Sequence, residues 1–424
     1  MRVERIGLSS LAVWLALVGP AAAKDKARPN IVLILADDLG YSDIGPFGGE
    51  IRTPNLDRLA AGGLRLTQFY NGARCCPTRA SLLTGLYAHQ AGVGAMNDDT
   101  GRPGYRGHLV DECVTLAEVL RPAGYRTCLS GKWHLGQPGP IARGFDEAYT
   151  FRGGMTSFWD PASYFRLPEG RKARSYPPGR FYATNAITDH ALDFLAESRQ
   201  AGKPYFLYLA YNAPHFPLQA PEGEVAKYAE LYKVGWDAIR GERHERMTKM
   251  GLLGPGSPLT PRSGYDGYHE EGPHGTNPAW DSLPEPRRAD LARRMAIFAA
   301  MVDRMDQNIG RVVDDLRKNG ELDNTLILFL SDNGACAEWD PNGFDGKSGP
   351  DNVLHDGASL ATMGGPSSYI SYGSAWANLG TTPWRMYKHY THEGGISTPF
   401  IAHWPAVVTR KGQIDGRVGH IIDV

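Results

Sequence analysis

The sequence has no excess of either charge: 45 Lys and Arg face 46 Asp and Glu, a net charge of −1 over 424 residues. Such a chain carries no long-range field that would make nucleic acid or an anionic membrane its main partner, so any anion it handles must be held by a local cluster. Past the first 23 residues it also lacks any apolar run approaching the roughly 20 residues needed to cross a bilayer. Internal repeats and low-complexity tracts are missing, and disorder, collagen and coiled coil are excluded by composition. Cysteine is scarce, with five residues at Cys75, Cys76, Cys113, Cys128 and Cys336.

What is present describes a globular chain, 42% hydrophobic, with 51 Gly and 30 Pro marking many ordered turns. At about 150 residues per domain, the length gives a soft expectation of two or three domains, although a single α/β unit can run longer. At the start, Arg2 and Arg5 precede an apolar stretch from Leu8 to Val18, then Gly19, Pro20 and three alanines. This order predicts a secretory signal peptide over 1–23, cleaved after Ala23, and places the mature protein in the periplasm or outside the cell. An odd number of cysteines in an exported chain implies a thiol with a special fate. Cys113 and Cys128 could close a loop of about 15 residues worth on the order of 3 kcal/mol. A pair of buried thiols fits equally well.

Asn30 to Ala36, NIVLILA, is a continuous apolar run ending in Asp37 and Asp38, as a strand buried on both faces of a parallel sheet requires. Thr53 and Pro54 open a short helix that closes at Gly62 and Gly63. Three further runs read as strands ending in polar residues: Tyr125 to Ser130 before Lys132 and His134, Tyr205 to Tyr211 before His215, and Leu326 to Ser331 before Asp332 and Asn333. A helix is expected from about Ala289 to Lys318, with Leu291, Met295, Phe298, Val302, Met305, Ile309, Val312 and Leu316 on one face. The segment 222–286, rich in Gly, Pro and charge, reads as a surface insertion that could wall a substrate cleft. The fold class is α/β, a large and mostly parallel sheet flanked by helices. In such sheets ligands bind beyond the carboxyl ends of the strands, where Asp37, Asp38, Lys132, His134, His215, Asp332 and Asn333 would converge.

Chemistry concentrates in Cys75-Cys76-Pro77-Thr78-Arg79 and its continuation to Thr84-Gly85. Pro77 suits the first turn of a helix whose Leu82, Leu83 and Leu86 face the core, so Cys75 sits just ahead of a helix N-terminus, where negative charge is favoured. Asp37, Asp38, Asp332 and Asn333 offer only oxygen, which selects a hard cation such as Ca²⁺ or Mg²⁺ over Zn²⁺. Alone, an Asp-Asp pair after a strand is more simply a cap or a solvated turn; a second acidic strand end makes a metal site the better reading. His134 and His215 are the acid–base candidates, because an unperturbed imidazole titrates close to neutral pH.

From these residues the chain is identified as resembling the sulfatase family, arylsulfatases above all, within the alkaline phosphatase superfamily. The Cys75 string is followed in the family's order by Gly131-Lys132-Trp133-His134, Asn212-Ala213-Pro214-His215, Ser331-Asp332-Asn333-Gly334, and Lys388 with Glu393-Gly394-Gly395. The segment Tyr372 to Pro405 is especially similar to arylsulfatases. The resemblance implies one catalytic domain over 24–424 that hydrolyses a sulfate monoester to an alcohol or phenol and sulfate. It implies that Cys75 is converted by a maturation enzyme to formylglycine, whose hydrate attacks sulfur with one hydroxyl and expels sulfate through the other. Asp37, Asp38, Asp332, Asn333 and the modified Cys75 would hold Ca²⁺. Arg79 would orient the hydrate, Lys132 and Lys388 would hold sulfate, His134 would act as base, and His215 would donate to the leaving oxygen. The two histidine roles could be exchanged, and Lys388 could supply that proton instead. The resemblance also implies a smaller carboxyl-terminal subdomain, expected to be truncated here because the chain stops at Val424 where the family pattern continues. Two rival readings are a phosphonate or phosphate ester hydrolase of the same superfamily and a catalytically silent protein that binds sulfated glycans with Cys75 still a thiol.

Overall fold

The computed structural model describes residues 28–265, 274–337, 340–347, 349 and 351–424; the expected signal peptide lies outside them. Nine strands form one sheet: β1 (Asn30–Ala36), β2 (Leu64–Tyr70), β3 (Arg126–Gly131), β4 (Glu147–Phe151), β5 (Tyr164–Leu167), β6 (Tyr205–Ala210), β7 (Thr325–Ser331), β8 (Phe400–His403) and β9 (Gln413–His420). Their spatial order is β9-β2-β8-β7-β1-β6-β3-β4-β5. From β7 through β4 every pairing is parallel, whereas β5 pairs antiparallel with β4 and β8 antiparallel with both of its neighbours. The sheet is therefore mixed, with a parallel centre. The four runs read from sequence are β7, β1, β6 and β3, four of the five strands of that centre. The others are short or alternate with polar residues, as in LRLTQFY of β2, and carry a weaker signal.

β1 explains the layering. Its side chains alternate between faces, so Val32, Ile34 and Ala36 enter one buried cluster while Leu33 and Leu35 enter another. The first face packs under α1 (Pro54–Gly62), α3 (Ala183–Gln200) and the long helix α5 (Glu285–Lys318). The second packs under α2 (Cys75–Thr84), through Cys75, Cys76, Ala80, Leu82 and Leu83. Helices on both faces account for the unbroken apolar run from Ile31 to Ala36 in β1. α5 starts one turn before the expected Ala289, with Pro286 inside its first turn, where a missing N–H costs nothing.

The 222–286 segment corrects the expectation of a surface insertion. Within it, Tyr228, Tyr232, Trp236, Ile239, Met247 and Trp280 belong to the main core cluster. Trp236 meets the rings of Trp280 and Trp376 edge-on at 4.7 and 5.2 Å. α4 (Trp236–Lys249) also carries the fully buried Arg243, which donates to Asp43 Oδ1 at 2.8 Å and to both carboxylate oxygens of Glu50 at 2.7 Å. Abundant Gly, Pro and charge in this stretch hid a set of widely spaced core aromatics. All five cysteines are free thiols; Cys113 donates to the Val110 carbonyl, and Cys128 lies buried in β3. The buried-thiol alternative is the one found. Among the described residues, no helix is long and apolar enough to cross a membrane.

Arg243 yields a stability prediction. Replacing it by Met leaves the buried Asp43 without its cation and Glu50 with only the longer 3.4 Å contact to Arg246, and should cost about 3–5 kcal/mol. Urea denaturation should show a lowered midpoint at unchanged slope, partly restored by adding Asp43→Asn and Glu50→Gln.

Candidate active site

Four strand ends and one helix start deliver the site. Asp37 and Asp38 follow β1, Lys132 and His134 follow β3, His215 follows β6, Asp332 and Asn333 follow β7, and Cys75 begins α2, which also carries Arg79. Lys388 comes from a loop tied to the end of β7 by backbone contact: its N–H donates to the Ala335 carbonyl at 3.0 Å, and Gly334 N–H donates to Gly395 at 3.0 Å. The chains cross so closely that a Cβ on Gly334 would lie 1.8 Å from the Gly394 carbonyl oxygen. Gly131 obeys the same constraint, with a φ of +117° and a virtual Cβ 1.8 Å from the Ala210 carbonyl oxygen. Both positions require glycine.

Among the described residues, five that are not glycine adopt a left-handed backbone: Asp38, Ala73, His134, Met386 and His389, with φ between 54° and 81°. Each is a predicted site residue or lies within two residues of one. At roughly 1–3 kcal/mol each, such conformations persist only where surrounding packing enforces them, and they gather at functional sites.

Three buried cations face three buried carboxylates. Arg79 donates through Nε and Nη2 to Asp332 Oδ2 at 3.1 and 2.7 Å, and through Nη1 to the Lys132 carbonyl at 3.0 Å. Lys132 Nζ donates to Asp37 Oδ2 at 2.6 Å, and Lys388 Nζ lies 2.8 Å from Asp38 Oδ1. Burial disfavours the Asp38 carboxylate, but His215, Lys388 and Lys132 together hold its proton affinity below the ordinary range. Burial likewise opposes charge on Lys132, and Asp37, Cys75 and Asp332 together more than offset it.

His215 donates from Nδ1 to the Phe216 carbonyl at 2.6 Å, which leaves Nε2, 3.3 Å from Asp38 Oδ2, as the acceptor of a neutral ring. Burial pushes its pKa down to about 3. His134, Cys75 and Cys76 form one cluster whose donor atoms lie within 4.8 Å of one another. A hydrogen bond from Cys76, joined by the charges of Lys132 and His134, holds the Cys75 thiol well below its ordinary pKa despite burial.

The oxygen donors fit a hard cation. Asp37 Oδ1 and Asn333 Oδ1 are buried and accept no hydrogen bond, although both belong to residues with no exposed surface. Asp37 and Asp38 each have a carboxylate oxygen within 4.8 Å of the other's and of a His215 ring nitrogen. Asn333 reaches the same place, donating to Asp38 Oδ1 at 2.7 Å. Asp332 differs, because its Oδ2 is taken by Arg79 while its Oδ1 accepts a 3.2 Å bond from the Asp38 N–H. All ten residues picked from sequence thus converge. One contributor had no sequence signal: Asn97, 21 positions from Cys76, with its Oδ1 3.3 Å from the Cys76 sulfur.

A family model, Sulfatase, matches residues 29–423. An uncharacterised sulfatase of Schizosaccharomyces pombe is 37% identical over 409 residues, covering 91% of this chain and 71% of that protein. An arylsulfatase of Klebsiella aerogenes is 36% identical over 427 residues, 97% of this chain and 88% of its own length. The crystal structure of Ps i-CgsB in complex with k-i-k-neocarrahexaose superposes with a TM-score of 0.61 at 26% identity, over 93% of this chain and 70% of that one. The chain belongs to the sulfatase family and is a sulfuric ester hydrolase. A phosphonate monoester hydrolase of Agrobacterium radiobacter shares the fold alone, at 21% identity and a TM-score of 0.50 over 93% of this chain and 72% of that one.

Arg79→Lys keeps the charge but cannot span Asp332 and the Lys132 carbonyl together. Steady-state kinetics on a sulfate ester should show kcat reduced by about a hundredfold or more. Near-normal turnover would reduce Arg79 to a mere countercharge.

Proposed function

We propose that the chain is an exported, arylsulfatase-like enzyme that cleaves a sulfate monoester to an alcohol or phenol and sulfate, with Cys75 acting as formylglycine beside Ca²⁺. One observation carries this reading: a thiol at a helix start, three buried cations and two imidazoles surround a set of oxygen donors, two of them buried without a hydrogen bond. Likeness to an arylsulfatase over 97% of the chain supports an aryl ester as the model substrate. The charged, apolar and small-residue order of 1–23 supports export to the periplasm or beyond.

Formylglycine at position 75 would supply, as its hydrate, two hydroxyls on one carbon, one to attack sulfur and the other to expel sulfate afterwards. A hard divalent ion held by Asp37, Asp38, Asp332 and Asn333 would supply Lewis-acid charge stabilisation. The chain's own groups do the rest. Lys132 and Lys388, each anchored on a carboxylate, hold the sulfate oxygens with little reorganisation. Arg79 fixes the Lys132 backbone and the Asp332 carboxylate from inside α2, so position 75 keeps its register against both. His134, clustered with the side chain at position 75, takes its proton. The proton for the departing oxygen comes from Lys388, which Asp38 holds beside the neutral His215 ring. Conversion of Cys75 makes a formylglycine-generating enzyme an obligatory partner.

Protein coexpressed with such an enzyme should hydrolyse an aryl sulfate. Cys75→Ala should reduce turnover about a thousandfold or more while circular dichroism and bound Ca²⁺ stay close to the parent. Asp332→Ala should lower Ca²⁺ content and activity together, as measured by atomic absorption and kinetics. Full activity of the Cys75 variant, or unchanged metal in the Asp332 variant, would contradict the assignment.

A further inference from the structure

Beside the catalytic centre lies a cavity of about 820 Å³, within the range of small-molecule sites. His134 and Asn97 form part of its wall, and Asn97 accepts the hydrogen bond from Cys76, so the cavity reaches the immediate neighbours of Cys75. The rest is built by the 136–142 loop after β3 and by the β4–β5 edge, with Trp133, Ile141, Phe151, Phe165 and Leu167 presenting apolar surface. Ile141 and Leu167 are only partly buried, although both pack on the core cluster beneath them. Apolar surface of this kind favours a ligand that covers it.

Fixed charge is sparse here. Arg152 and Glu169 are the charged lining residues, and the Arg152 guanidinium lies over the Phe165 ring, 5.9 Å from its centroid. A polysulfated glycan would need a succession of cations and hydrogen-bond donors, which these walls do not offer.

We propose that this cavity binds the organic part of the ester and selects an apolar, ring-bearing alcohol larger than a single phenol. The assignment rests on the sulfatase reading for the position of the sulfate. It deepens that reading by making Ile141 and Leu167 specificity determinants. Neither touches the reacting atoms, so their effect belongs in KM.

Two readouts test it. The first is calorimetric binding of the product alcohol para-phenylphenol to the purified full chain, which needs no conversion of Cys75. The second is kcat and KM of the converted enzyme for para-phenylphenyl sulfate, phenyl sulfate and a sulfated hexosamine. Ile141→Trp from the loop and Leu167→Trp from the strand should each weaken para-phenylphenol binding, and raise KM for its sulfate, by about tenfold. Values of kcat, and both constants for phenyl sulfate, should stay within about twofold. Undiminished alcohol binding in both variants, or no binding to the parent chain, would overturn the proposal. So would a preference for the sulfated hexosamine that neither variant changes. A parent chain that binds the alcohol, loses it in the variants and cleaves no sulfate ester would uphold the cavity assignment while refuting the catalytic reading.

Discussion

The site depends on three cations being held without water against three carboxylates: Arg79 on Asp332, Lys132 on Asp37 and Lys388 on Asp38, all with at most a few per cent of their surface exposed. Each charge alone would be expensive to bury, by several kcal/mol even after relaxation. Paired, they become a fixed array that neither folds inward nor reaches out for solvent. An anion entering such an array meets cations already oriented, which is the condition for strong electrostatic stabilisation of a developing charge. The same pairing makes the array brittle, because removing one partner strands the other in the interior.

The rest of the fold serves that array. A parallel sheet centre brings the carboxyl ends of β1, β3, β6 and β7 into one crevice. The two cores on either face hold the strands in register, so that Ile34 aligns with Leu209 on one side and Phe329 on the other. Past those ends the chain tolerates five left-handed residues and two glycine crossings with no room for a methyl group. Local strain of this kind is stable because the large apolar layers around α5 and α2 over-determine the backbone. Asp37 Oδ1 and Asn333 Oδ1, buried without donors, belong to the same economy: a structure that satisfies most of its polar atoms leaves oxygen open where a cation fits.

Much of this was legible in the sequence because buried parallel strands write themselves as unbroken apolar runs, and NIVLILA before two aspartates fixes both a strand and its functional end. The chemistry was legible because residue types at strand ends are constrained by reaction rather than by packing. Three things were not. β8 has only four residues, too few to show a period. The 222–286 aromatics are spaced through turns, so neither helix nor strand periodicity reveals that Trp236, Trp280 and Trp376 meet. Asn97 lies in a loop with no motif around it, and only the fold brings it to Cys76. Site residues carried by strand ends, and Lys388 beside its Glu-Gly-Gly motif, can be read ahead of the structure, whereas Asn97, in a loop without a motif, cannot.

The account turns on the chemical state of position 75. The most direct measurement is mass spectrometry of the tryptic peptide carrying residue 75, taken from protein purified after coexpression with a formylglycine-generating enzyme. The account predicts a peptide lighter than the thiol form that forms a hydrazone with a hydrazine probe, in protein that hydrolyses an aryl sulfate. An intact sulfhydryl at Cys75 in protein that turns over sulfate esters at full rate would contradict it.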